Sequence, residues 1–423
     1  MDRMMKIIEM NVDCLEKVLE CLNFIDLLNA ADSNKQLNHA ATLIFNRKYG
    51  KKKFIFGETR LSPKPLLQSG KYFIDINDLR TGLKCLRCFG AQISEMVLYR
   101  FQEDVSEFDL HIIAYINEYC AEAITRIGVR NCSEDGLKYF TTPFTKVEDV
   151  YLQSCSAEKE WIKRVFPKVR ELKLCPSMCS TLLYNGCTAS HFPRLEHLEI
   201  SSSTTRENIA CRKNVMATLR LNPQLKTLRV RQLCTPIDLT FFQESSGFLQ
   251  NLENLELTFS FHFFHNFNGA MVHLKSVKHL EIYGFDIPEV HPIIPFSFDK
   301  LESLSLSSYG PLDERFYEFI EKHPSIKELK ITNRFPNEEA LHRWRGIAKV
   351  LPLLQSEMDF SWIKFSVEEA LDFMQMFKSL KSFRFGLNQH SDYQHLQMRL
   401  NVGWLVSINE YNIVQLERRI LKI

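Results

Sequence analysis

Glycine is scarce in this chain, 15 among 423 residues, and nowhere does it gather into the loop that a phosphate-cradling turn requires. Neither sign of charge dominates, with 53 Lys plus Arg against 51 Asp plus Glu. That balance argues against nucleic acid or an anionic membrane surface as partner, since both demand a field of one sign. No apolar run approaches the roughly 18 to 20 residues of a membrane-spanning helix, so no membrane partner is expected. HExxH and GxSxG are absent, and no other constellation supplies a nucleophile with its base. The expectation is a protein that is no enzyme and holds no cofactor. Cysteine is more plentiful, 12 residues, but it has no framework: Cys85 and Cys88 form a lone pair with no second pair at zinc spacing, and no metal site is expected. Met1–Met10 is short, mixed and charged rather than a secretory leader, so reduced thiols and a cytoplasmic and/or nuclear location are expected.

What the chain does have is self-similarity. The stretch FPRLEHLEI, Phe192 to Ile200, spaces its apolar residues by three, three and two, and near-copies end at Leu174, Leu257, Ile282, Leu306 and Phe385. Twelve such units have first positions at Ile93, Ile124, Val147, Val169, Leu195, Leu225, Leu252, Val277, Leu301, Ile326, Leu354 or Gln355, and Leu380. The mean period is about 26 residues, a length typical of solenoid repeats. Alternation after each first position sends two apolar side chains inward and their neighbours outward, as a short strand demands. An apolar residue three places earlier closes each layer: Phe144, Phe166, Phe192, Leu249, Leu274, Phe298 and Phe377. Pro167, Pro193, Pro223, Pro324 and Pro352 sit two before a first position, where they stop a preceding helix.

The segments between are long enough for helices. Trp161, Ile162 and Val165 are predicted to face inward, as are Phe316, Phe319 and Ile320 behind a cap at Asp313. Asn337 is predicted to cap a helix bearing Leu341, Trp344, Ala348 and Leu351, and Ser366 to Glu369 reads as a capping box. Cys132 and Cys155 read as core residues at the turns after their strands. The aromatic run Phe259–Phe267 reads as a packed connection, and the stretch from Asn401 onward as a cap on the last layer.

Residues 10 to 49 differ, because their apolar residues follow a helical period. Val12, Leu15, Val18, Leu19 and Leu22 fall on one face, capped by Asn11 or Asp13. Asp26 is predicted to cap a second helix with Leu27, Leu28, Ala30 and Ala31. A third places Leu37, Ala41, Ile44 and Phe45 together. Three helices in about 40 residues make a marginal core, so they are expected to lean on a partner or on the next domain. The basic run Arg47–Lys53 reads as a solvated linker, and the residues after it as a short strand.

The repeats resemble leucine-rich repeats, and Met10–Gly50 resembles an F-box, with Leu15, Val18, Leu22, Asp26, Leu27 and Leu37 matching that motif in order. Asn11 stands where the family has Pro, and Ser33-Asn34 where it has Val-Cys. The chain is thus similar to the F-box/leucine-rich-repeat proteins, substrate receptors of SCF ubiquitin ligases. The resemblance implies an α/β leucine-rich-repeat solenoid, a horseshoe with a parallel inner sheet and outer helices, preceded by a small three-helix domain. Expected boundaries are 8–50 for the F-box-like domain, 51–92 for a linker and cap, and 93–423 for the solenoid. The resemblance further implies that Leu15, Val18, Leu19, Leu22, Asp26, Leu27 and Leu37 bind a Skp-type adaptor, and through it cullin and RING subunits. An N-terminal cap on a repeat scaffold without a ubiquitin role is the alternative.

The strand face is where a protein target is expected. Its outward residues alternate in sign and include aromatics, a mixture suited to a protein rather than to a nucleic-acid backbone. The candidates are Tyr99, Arg130, Tyr151, Arg229, Arg231, Glu256, Glu281 and Tyr283, with a small polyanion near Arg229 and Arg231 as a lesser alternative.

Overall fold

The computed structural model describes residues 10–57, 67–69, 71–99, 107–132, 134–155, 161–175, 191–201, 209–231, 239–258, 271–285, 296–308, 314–333, 355–377, 379–387, 391–400, 404–409 and 411–418. The chain is α/β, with mostly parallel strands, and forms two compact units: Met1–Glu199 with Lys213–Asn222, and Ile200–Arg212 with Pro223–Ile423. The division falls within the stretch expected to be one array.

The first unit opens with three helices, α1 (Val12–Leu19), α2 (Phe24–Ser33) and α3 (Lys35–Lys48), each begun by an asparagine. The side-chain oxygens of Asn11, Asn23 and Asn34 accept from the backbone N–H groups of Cys14, Asp26 and Gln36, at 2.8, 3.0 and 2.8 Å. Such caps satisfy donors that the first helical turn leaves open. The expected cap Asp26 is instead inside the first turn of α2, where its carboxylate accepts from Asn23 Nδ2 at 2.7 Å. Asn23 takes the cap because its own backbone is extended, at φ −72° and ψ 176°.

These helices do not stand alone. Phe45 of α3 stacks at 4.2 Å on Phe89 of α4 (Leu79–Phe89) and at 5.5 Å on Phe54 of β1 (Lys53–Gly57), while Phe24 lies 6.4 Å from Phe54. Asp32 on α2 pairs with Arg87 and, at 3.5 Å, with Lys84 on α4. The basic run expected as linker is built into this joint. Arg47 ends α3 in pairs with Glu16 at 2.6 Å and Glu20 at 3.3 Å, and Lys53 opens β1 with a pair to Glu95 at 3.1 Å.

β2 (Leu67–Ser69) lies antiparallel to β3 (Phe73–Ile76), and β1 runs parallel between β3 and β4 (Glu95–Tyr99). β5 (Arg126–Arg130), β6 (Asp149–Gln153) and β7 (Glu171–Cys175) then add in parallel. Their register sets apolar against apolar: Met96, Ile127, Val150 and Leu172 make one inward row, and Leu98, Val129, Leu152 and Leu174 the next. Helices α5 (Glu107–Tyr119), α6 (Glu134–Leu137) and α7 (Trp161–Val165) fall between strands. Trp161, Ile162 and Val165 are buried as predicted, and Trp161 Nε1 donates to the Leu137 carbonyl at 2.8 Å. At the turn after β6, Ser154 takes a left-handed φ of 55°, and the Cys155 thiol beside it is buried against the Val129 carbonyl at 3.3 Å. β8 (His197–Ser201) and α8 (Ile209–Leu221) carry the dividing line between the units.

In the second unit β9 (Thr227–Arg231) pairs with β10 (Asn254–Thr258), and α9 (Leu239–Ser245) lies between them in chain order. β11 (Val272–His273) pairs with β13 (Phe296–Ser297) in a separate short ladder. The main sheet continues in parallel through β12 (His279–Phe285), β14 (Ser303–Ser308), β15 (Glu328–Asn333), β16 (Gln355–Phe365) and β17 (Leu380–Leu387). Among the described residues three helices accompany it: α10 (Glu314–Glu321), α11 (Val367–Met376) and α12 (Ser391–Arg399). Ser366 and Glu369 form the predicted capping box on α11. The closing stretch is an antiparallel hairpin, β18 (Trp404–Ile408) and β19 (Ile413–Arg418), whose Val414 and Leu416 are buried against β17.

The first positions from Ile93 to Ile326, and Leu380, are all buried; Gln355 is not a first position. Gln355 pairs with Glu328, two residues beyond the first position Ile326, so the frame differs from that expected; Leu354 lies outside the described residues, as do Asp313, Asn337 and Phe259–Phe267. The register places Ser356 between Leu329 and Leu380, in the row otherwise built by Leu228, Leu255, Leu280 and Leu304. Its side chain is fully buried and its hydroxyl has no hydrogen-bond partner among the described residues.

These packing details generate two stability predictions. Ser356→Ala is expected to stabilise by about 1–3 kcal/mol, the cost of an unpaired buried hydroxyl, read as a raised urea midpoint; an unchanged or lowered midpoint refutes it. His323 is buried with Nδ1 donating to the Phe319 carbonyl at 2.7 Å and Nε2 accepting from Phe298 N–H at 3.4 Å. Burial lowers its pKa below the ordinary 6.5, Lys322 adds to this, and the Phe319 carbonyl opposes it. The unfolded chain then binds more protons just below that value, so this contribution is complete above about pH 6.5 and declines as pH falls through the depressed folded value. His323→Phe is expected to flatten the stability difference between about pH 7.5 and about pH 5.5, measured by urea unfolding at each pH.

Candidate functional site

The expected adaptor residues divide by burial. Leu15, Leu19, Leu27 and Leu37 are at most 8% exposed and fill the interior of the three helices. They are therefore core residues in this conformation and not a contact surface. Val18 is 43% exposed, Leu22 half-buried, and Asp26 exposed. Leu43 of α3, not anticipated from the sequence, is also exposed. Nothing in the helical period separates these groups, because a residue at the edge of a helix face reads the same as one at its centre.

The expected target residues fall into two clusters, one in each unit. In the first, Tyr99 pairs in register with Arg130, and Arg130 with Gln153, while Tyr151 lies opposite Gly128. The Arg130 guanidinium is 5.6 Å from the Tyr99 ring centre and 5.2 Å from that of Tyr151, within the range of cation–π attraction. Tyr151 OH donates to Gln153 Oε1 at 2.7 Å, and burial, with Cys175 nearby, raises its pKa. A Cβ on Gly128 would lie 3.0 Å from Val97 Cγ2 and 3.5 Å from Tyr151 Cδ1, so the glycine gives the Val97 side chain its space while the tyrosine ring would tolerate one.

One row across the same strands is a chain of ion pairs that sequence reading did not anticipate. Arg126 bridges Glu95 at 3.2 Å and Asp149 at 3.1 Å, and Lys173 reaches Glu171 at 2.9 Å and Asp149 at 3.8 Å. The signal was present in the opposite signs of Glu95, Arg126 and Asp149, each two residues after a first position, with Lys173 reaching in from the next row, but it needed the register to be read.

In the second unit Glu256 is the centre. It is only 8% exposed, and its carboxylate accepts from Arg231 Nε at 2.7 Å and Arg229 Nε at 3.1 Å. Glu281 stands opposite Glu256 in the register and accepts from the Tyr283 hydroxyl. Burial and that hydrogen bond push the Tyr283 pKa up. Glu256, expected as a contact, is thus largely enclosed by the arginines that were to attract a polyanion, and their charge is already engaged.

Among the described residues no group of three or more His, Cys, Asp and Glu side chains is placed to hold a metal ion, and no helix is long and apolar enough to cross a membrane. Cys85 is fully buried, and burial raises its pKa well above the ordinary thiol value. No protein-family model matches the chain, and no curated protein matches it.

Glu256→Gln leaves two guanidinium groups without their shared carboxylate. The variant is expected to lose about 1–3 kcal/mol, as for charged hydrogen bonds that lose one partner. Combining it with Arg231→Gln should cost less than the sum of the two single losses. Urea unfolding of the four proteins of that cycle checks both statements, and strict additivity would refute the coupling.

Proposed function

We propose that this chain is the substrate-recognition subunit of an SCF-type ubiquitin ligase. In this reading α1–α3 are an F-box that seats on a Skp-type adaptor, and through it on cullin and RING subunits. The parallel strands and their helices are leucine-rich repeats whose outward face holds a protein target.

The observation that carries the reading is the exposure of Val18. α1 already buries Leu15 and Leu19 in its own interior, while Val18 on the same helix leaves 43% of its surface exposed. Val18 and Leu22 both lie at positions where the F-box motif places apolar residues, and an apolar residue at a helix surface is what a partner would cover. The two departures from the motif have local uses: Asn11 caps α1 and Asn34 caps α3.

The mechanism involves no bond chemistry by this chain. It holds a target near a ubiquitin-charged enzyme and so raises the effective concentration of target lysines there. The joint of Phe24, Phe45, Phe54 and Phe89 supports this, since helices packed onto the sheet hold a fixed direction relative to β4–β7.

Co-purification with a Skp-type adaptor tests the proposal. The wild-type chain is expected to retain the adaptor, and Val18→Glu with Leu22→Glu to lose it about tenfold or more, with an unchanged melting curve because neither side chain is in the core. Leu15→Glu is expected to unfold the helices instead. A folded wild-type chain that binds no adaptor would leave the alternative, a repeat scaffold whose first helices are a cap.

A further inference from the structure

On the strand face of the first unit, among the described residues, the cations are neutralised with one exception. Arg126 is held by Glu95 and Asp149, and Lys173 by Glu171 and Asp149. Arg130 has no carboxylate partner among the described residues, and its Nε is buried without a hydrogen bond. It is flanked instead by rings from the strands on either side, Tyr99 of β4 and Tyr151 of β6. Beside it, Gly128 is buried under Val97 and Tyr151, the absent side chain letting both lie close against the strand.

We propose that Arg130, held between Tyr99 and Tyr151, binds a carboxylate presented by an extended protein segment, from an acidic side chain or a chain end. The inference rests on reading the strand face as a target-binding surface and is independent of the adaptor.

Three features select this chemistry. A guanidinium is a planar fork that matches a planar carboxylate with two parallel hydrogen bonds. Flanking rings restrict the arginine before the ligand arrives, so less side-chain freedom is lost on binding. Third, the site offers one uncompensated positive charge. A phosphate dianion would call for a second cation, yet Lys173 and Arg126 are engaged, and the Glu199 charge acts close to Tyr151. Gln153 supports the arrangement: its Oε1 accepts from Tyr151 OH, and its amide nitrogen is a neutral donor on the strand paired with Arg130.

The test uses the full chain and fluorescence anisotropy with labelled peptides of about six residues, short enough to lie along one strand row. The probes are an oligoglutamate with both ends blocked, an oligoserine with a free C-terminal carboxylate, the same oligoserine fully blocked, and a blocked phosphoserine peptide. A carboxylate-bearing probe is expected to bind saturably and the fully blocked oligoserine not to bind. Oligoglutamate binding identifies an acidic side chain as the source, and free-end oligoserine binding a chain terminus; either sustains the assignment. Arg130→Lys is expected to weaken binding about tenfold or more, because the ammonium lacks the fork. Tyr99→Ala or Tyr151→Ala should weaken it about threefold to tenfold, and the matching Phe variants should stay within about twofold, since the rings remain. Circular dichroism melts establish that each variant is folded. Undiminished binding by folded Arg130→Lys, preference for phosphoserine, or no binding of any carboxylate probe overturns the proposal. Val18→Glu should bind the peptides as the wild type does, so that failure of the adaptor and failure of this site are read separately.

Discussion

Alternation along the strand is the constraint on which the remaining features of this protein depend. Leu255, Leu280 and Leu304 are stacked in register on parallel neighbours, with Leu257, Ile282 and Leu306 two residues on. Each such side chain, once buried, stabilises by about 1.5–3 kcal/mol. A strand that sends two residues inward must send the residues between them outward. Those outward residues interact across strands for about 0–1 kcal/mol where they are exposed. Stability is therefore decided mainly on the inward side of the sheet, the enclosed Glu256 and its arginines being an outward exception, which leaves the exposed outward positions open to vary with function.

Burial periodicity explains which features could be read without coordinates. Ile93, Ile124, Val147, Val169 and Leu195 are all buried, and so are Phe144, Phe166 and Phe192 three places before. These were legible because each repeat imposes the same spacing on them. The frame at Ser356 was not legible, because Leu351, Leu353 and Leu354 around Pro352 offer several frames and only pairing with Glu328 and Leu329 chooses one. Asp26 and Asn23 are both good caps by type, and the choice lay in a backbone angle. Leu15 and Val18 are both apolar on the same helix, yet one is core and the other is surface. The sequence marks apolar positions; it does not apportion them between a chain's own interior and a partner.

The outward face shows a second regularity, one of charge. Glu95, Arg126 and Asp149 pair with one another along a single row, and in the second unit Glu256 pairs with Arg229 opposite it and with Arg231 two residues further along the same strand. Alternating signs, read from sequence as a surface suited to recognition, are in large part satisfied internally. What distinguishes a residue on such a face is then not its charge but a failure of that compensation. Tyr99, Gln153 and Cys175 share the row of Arg130 and none is a carboxylate. This is why one arginine among several differs in kind from the rest.

The joint between the helices and the sheet bears on function through stiffness. Residues 51 to 92 were expected as a linker and cap with a short strand after the basic run, and that strand is present as Lys53–Gly57, with neighbours on both sides and Phe54 within it completely buried. A flexible connection of the same length would let the two ends sample many separations, and effective concentration falls as that volume grows. Here Phe45 is stacked on both Phe54 and Phe89, while Asp32 is pinned to Arg87 and Lys84. Moving α1–α3 against β4 would expose those rings, at about 1.5–3 kcal/mol for each fully buried one. If the helices are the docking element and the strand face the recognition element, this aromatic joint fixes where a bound target is held, and only lysines within that fixed reach can be modified.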